Sequence, residues 1–216
     1  LPHNQQHPLW GLRCLIRAQV SAAGGEPGTA LRALLDAGDS LELIIADPAS
    51  AAWCVRLARG VGHESFARDV VRTSRMISEL NPDQPFLAVV ADHCRALMDR
   101  DAIIVKSLAG QYMDPWVHAS ATEDVGVLLA EVDRATAVSE LSAAMAVYVE
   151  LGADWDAARV RHRLRDLGVR RRHWSHTTRA STGWASLTIA EEKVARLAAG
   201  GLTNRQVARE PVSYTH

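Results

Sequence analysis

Asp92-His93-Cys94 is the densest run of reactive side chains in this sequence. A carboxylate, an imidazole and a thiol in one place could serve acid–base or nucleophilic chemistry. The spacing argues against that use, because adjacent residues on a helix project about 100° apart and meet different surroundings. The three cysteines, Cys14, Cys54 and Cys94, lie 40 residues apart each time and form no Cys-x-x-Cys pair. An odd count without that pair supports neither a zinc site nor a disulfide framework. It reads as three small buried residues at similar places in successive helices. His173 and His176 sit three apart in a basic, Ser/Thr-rich stretch and read as part of a solvated linker ahead of a metal site. Carboxylates, histidines and cysteines are otherwise scattered. An enzyme is therefore the least supported class, and no catalytic residue, metal ligand or cofactor is assigned to this chain.

Arginine offers a different chemistry. The 216 residues carry 24 Lys+Arg and 25 Asp+Glu, a net charge of −1 that excludes a uniformly basic nucleic-acid binder. The average hides two unlike parts. Residues 1–150 hold 12 basic and 19 acidic side chains, net −7, and residues 151–216 hold 12 basic and 6 acidic, net +6. From Arg159 to Arg179 there are eight Arg and one acid, Asp166. Arg159, Arg161, Arg163 and Arg165 are spaced by two, which spreads them around a helix. Such a run either stays solvated or provides an electrostatic approach to phosphate.

The elements that must position these groups read as helices throughout. Apolar content of 48% suffices for a core, no apolar run reaches the ~18 residues of a membrane span, and aromatic content is 5%. Helices are expected over 9–23, from Glu26-Pro27 through 37, from Asp47-Pro48 to about 60, and over 63–80. Others follow from Pro85 to about 98, from Asp101 to about 113, from Pro115 to 132, over 134–151, and over 157–167 after Asp154-Trp155-Asp156. Leu41–Ile45 is a short apolar run of ambiguous type. Helix pairs at this period imply stacking, since one pair cannot bury its apolar face alone. Ala91–Asp101 matches Glu123–Asp133 at an offset of 32 residues, placing Cys94 over Gly126.

Near the end, Thr188-x-x-Glu191 is a capping box that starts a helix with Val194, Leu197 and Ala198 on one face, and Gly200-Gly201 stops it. Thr203-x-x-Gln206 is a second capping box. Its helix turns Val207 and Ala208 inward and leaves Arg205 and Arg209 on one outer face. Two short capped helices joined by a Gly-Leu turn on a basic end form the opening half of a helix-turn-helix.

The run Gly183-Trp184-x-Ser186-Leu187-Thr188-x-x-Glu191-x-x-Val194-x-x-Leu197, then Leu202-Thr203-Asn204-Arg205-Gln206-Val207-Ala208, resembles the start of the LuxR-type DNA-binding domain. Gly126-Val127-Leu128-Leu129 with Ala137, Leu141 and Ala144 resembles the tetratricopeptide (TPR) pattern, in which small residues let two helices approach closely. The helical body as a whole is similar to the TPR-like region of large ATP-binding, MalT-like LuxR-type regulators. Asp47-Pro48-Ala49-Ser50-Ala51-Ala52-Trp53 and residues 151–160 carry that likeness.

The resemblance implies an all-α chain with four parts. Residues 1–168 form a TPR-like helical-repeat array, 169–182 a basic linker, 183–210 a partial LuxR-type helix-turn-helix, and 211–216 a non-native tail. It implies a cytoplasmic transcriptional regulator whose repeats sense a protein or small-molecule effector. Thr203, Asn204, Arg205, Gln206 and Arg209 would lie near the DNA phosphates, with Thr188, Glu191, Thr203 and Gln206 as helix caps. It implies no membrane partner and leaves room for a homo-oligomer. ATP would belong to a module upstream, since no Gly-x-x-x-x-Gly-Lys-Ser/Thr loop occurs here.

The sequence departs from the family after Glu210. Pro211 would end the second helix, and Pro211-Val212-Ser213-Tyr214-Thr215-His216 replaces the recognition helix that reads bases. The expectation is thus a fragment with weak, non-specific DNA binding. The alternative is a helical-repeat interaction scaffold whose basic tail docks acidic partners.

Overall fold

The computed structural model describes residues 9–169, all within the first of two units into which the chain divides, residues 1–170. The described residues are helical with no strand, so the all-α expectation holds. In chain order the helices are α1 Trp10–Ala23, α2 Pro27–Leu35, α3 Ser40–Ala46, α4 Ala51–Gly60 and α5 Glu64–Leu80. After these come α6 Pro85–Asp99, α7 Ala102–Ala109, α8 Pro115–Leu129, α9 Arg134–Glu150 and α10 Asp154–Asp166. No described helix is long and apolar enough to cross a membrane.

Local chemistry sets the starts. Asp39, Asp101, Asp114 and Asp133 each accept a backbone N–H from the first turn of the helix that follows, a cap worth about 1 kcal/mol. Pro27, Pro85 and Pro115 occupy first-turn positions, where a missing N–H costs nothing. At the end of α9 the chain must reverse, and Gly152 does so at φ 68°, with the Ala153 N–H donating to the Tyr148 carbonyl at 2.8 Å.

One open reading is settled and two expectations need correction. The ambiguous run Leu41–Ile45 is helical, because Asp39 caps it and Leu43 and Ile44 bury against the neighbours of α3. Asp47-Pro48 opens a short 3-10 turn, Pro48–Ser50, before α4 begins at Ala51. The helix expected to run to about 113 stops at Ala109, whose carbonyl oxygen accepts a 2.8 Å hydrogen bond from the His118 ring. Tyr112 then turns into the core.

Most helices pack on the next in sequence, and α1–α3, α3–α5 and α4–α6 also touch. One apolar core runs from Trp10 to Val125 beneath α1–α8. Cys14, Cys54 and Cys94 lie within it on α1, α4 and α6, free and buried. Two glycines permit the closest approaches. A Cβ on Gly11 would stand 2.1 Å from the Glu42 carbonyl oxygen, so α1 crosses α3 there with no room for a side chain. A Cβ on Gly126 would stand 2.6 Å from Leu141 Cγ and 3.1 Å from the Ala137 carbonyl oxygen, which brings α8 against α9.

Candidate functional site

Helix α8 is the central element, buried continuously from Ala119 to Gly126. Ala119, Ser120, Ala121 and Gly126 are small enough for neighbours to close around it. That leaves Glu123 and Asp124 inside, 3% and 2% exposed. Buried carboxylates require partners, and each has its own set.

Asp124 faces α4 and α6. Arg56 Nη1 donates to its Oδ2 while Arg56 Nη2 donates to Ser120 Oγ at 2.8 Å. His93 Nε2 lies 3.1 Å from the same carboxylate oxygen, and His93 Nδ1 lies 3.0 Å from the Tyr112 hydroxyl. Burial alone would raise the Asp124 carboxyl pKa. The Arg56 guanidinium and His93 outweigh burial and hold it below the ordinary carboxylate range. An ionised carboxylate only accepts, so Nε2 carries a proton. On a neutral ring, Nδ1 then accepts from the Tyr112 O–H. Burial raises the Tyr112 pKa and keeps that proton in place.

Glu123 faces α9 and α10. Arg159 donates to it twice, Nε to Oε1 at 2.9 Å and Nη2 to Oε2 at 2.6 Å, in the fork geometry a carboxylate favours. The Tyr148 O–H donates to Oε2 at 3.1 Å, and Arg163 Nε stands 3.4 Å from Oε1. Asp156 accepts from Arg159 Nη1 at 2.6 Å and from Trp116 Nε1 at 3.0 Å. Burial would lower the Arg159 pKa, but its hydrogen bonds to Glu123 raise it. Arg163 goes the other way, since burial with Arg159 and Arg56 nearby outweighs Glu123.

Alternate helices α4, α6, α8 and α10 thus meet in one ionic layer, joined through two adjacent carboxylates. The His93–Asp124 pair has the residue types of an acid–base couple, but His93 is 1% exposed and both ring nitrogens are engaged. Cys94 points elsewhere, toward Ser74 Oγ at 3.9 Å, and burial pushes its thiol pKa up to about 12. Asp92 is exposed, so the tripeptide does not converge. Among the described residues no three His, Cys, Asp or Glu side chains are grouped to hold a metal ion.

Of the arginines in the basic run, Arg159 and Arg163 turn inward to Glu123, while Arg165 is exposed. The solvated or phosphate-seeking helix expected there is therefore half committed to the protein interior. Thr203, Asn204, Arg205, Gln206 and Arg209, the helix-capping residues Thr188 and Glu191, and the pair His173 and His176 all lie outside the described residues. Sequence reasoning missed the ionic layer. Its available signal was an acidic pair set among small residues in a helix with no polar stripe.

The described residues form an all-α helical array in which an ionic layer joins α4, α6, α8 and α10. No family model, curated protein or solved structure matches the chain.

Proposed function

We propose that this chain belongs to a cytoplasmic DNA-binding transcriptional regulator of the LuxR type, its helical array serving as the sensor or interaction arm. The single observation that carries this reading is Leu202-Thr203-Asn204-Arg205-Gln206-Val207-Ala208, following the sequence pattern Thr188-x-x-Glu191 and Gly200-Gly201 on a basic end. Further support comes from the close approach of α8 and α9, where the small residues Gly126 and Ala137 let the Leu141 side chain pack in, as a TPR-like hairpin requires. The described helices carry an acidic surplus that would not attract DNA, so the contact is assigned to Arg205, Arg209 and the residues around them.

The test is binding of the 216-residue chain to duplex DNA across a salt series. The expected result is weak binding, micromolar or poorer, that falls steeply with salt and shows no preference among sequences. Joining a LuxR-type recognition helix and fourth helix after Glu210 should add sequence preference. Nanomolar, sequence-specific binding by the chain alone would contradict this division of labour. No DNA binding at any salt, with tight binding to an acidic protein, would favour the scaffold alternative instead.

A further inference from the structure

The last described helix, α10, is held in an unusual way. Its apolar footprint is three residues, Ala157, Val160 and Leu164, placed mainly against α9. Its ties to α8 are polar: Arg159 and Arg163 to Glu123, and Asp156 to Trp116. Arg134 on α9 adds donation to the Leu167 carbonyl just past the helix. The seat is also incompletely filled. A groove of about 380 Å³ lies beside the C-terminal half of α10, lined by Val127, Ala130, Leu141, Arg163, Asp166 and Leu167.

Exposure divides this clamp unevenly. The Glu123 side chain is 4% exposed, while those of Arg159 and Arg163 are 39% and 34% exposed. Mobile ions can reach the cations though not the acid, so rising ionic strength weakens this part-buried pairing from its exposed side, and less than it would weaken a surface pair. The other side of α8 is more enclosed, with the Arg56 side chain 21% exposed and that of His93 2%. Local opening starts where apolar contacts are few and polar contacts reach solvent, and α10 is held by three buried apolar residues and by part-buried ion pairs whose arginines reach solvent.

We propose that α10 is a detachable helix, clamped onto the array by Glu123 through Arg159 and Arg163 and released as a unit when salt screens that clamp. Release frees two guanidiniums on a helix that leads directly into Arg170-Arg171-Arg172. The array from α1 to α9 keeps its core. This inference stands apart from DNA recognition, because the clamp and its test concern only the described helices.

Amide hydrogen exchange of the full chain is the direct test, read helix by helix from about 0.05 to about 0.5 M NaCl. The expected result is about tenfold faster exchange of α10 amides over that range, with α5 and α6 changed less than about twofold. Glu123→Gln should give fast α10 exchange at every salt concentration while α4–α6 stay protected. Arg163→Gln, which removes one exposed partner and keeps the buried acid paired with Arg159, should give an intermediate rate that still rises with salt. Exchange of α10 that ignores salt in the unmodified chain would overturn the proposal. So would acceleration of all helices together, since α10 would then not open as a separate unit. Should Glu123→Gln fail to fold, the salt series on the unmodified chain decides.

Discussion

Glu123 and Asp124 are neighbours on one helix, equally buried, and do different work. Asp124 is enclosed by Arg56, His93 and Ser120, with Tyr112 of the apolar core behind His93, and of these the Arg56 side chain is 21% exposed. Glu123 is held by partners from α9 and α10, two of which reach solvent. The same chemical group is a fixed internal brace on one side of α8 and the seat of a removable helix on the other. Burial of an acid therefore says little about its role until the exposure and attachment of its partners are known.

The largest expected effect comes from breaking the enclosed side. Asp124→Ala leaves Arg56 and His93 without their carboxylate in the interior. It should lower global stability by about 3–5 kcal/mol, read as a shift of the urea midpoint with little change in slope. Next comes the closest backbone crossing. Gly11→Ala sets a methyl against the Glu42 carbonyl, which cannot rotate away, and should cost about 3 kcal/mol. Gly126→Ala meets the side chain of Leu141, which can move in part, and should cost less.

Acid sharpens the contrast further. The Asp124 carboxyl is held below its ordinary range in the folded chain, so the folded state takes up its proton less readily than the unfolded one. The contribution of Asp124 is complete above the unfolded pKa of about 4 and is lost as pH falls toward the folded value. Unfolding midpoints of the native chain should drop over that interval, and those of Asp124→Asn should drop less. The smallest effect belongs to the exposed pair Arg75–Glu79 on α5, where both side chains are more than half exposed. Glu79→Gln should move stability by less than about 0.5 kcal/mol in the same urea measurement.

Much of the fold was legible because its signals are local. Asp47 and Asp101 before helix formers, and Pro27, Pro85 and Pro115 at first turns, set starts that the structure keeps to within a few residues. Helix α3 was harder to read, because its seven residues give little periodicity and its character rests on the Asp39 cap and on packing. The end of α7 depends on a bond from His118, nine residues on. The pairing within the ionic layer was not legible, although the acidic pair Glu123-Asp124 among small residues was a sign of it. Arg56 and Asp124 are 68 residues apart and Arg159 and Glu123 36 apart, so only the folded chain shows which cation answers which acid. The spacing of Arg159 and Arg163 gave no sign that both turn inward.

The proposed joining of an acidic helical array to a DNA-contacting end predicts a particular salt dependence of duplex DNA binding, compared between the native chain and Arg205→Gln/Arg209→Gln. If both arginines face phosphate, the double variant should bind more weakly to every sequence, and the slope of log affinity against log salt should become shallower by about 2. An unchanged slope and affinity would place the DNA contact elsewhere and contradict the claim.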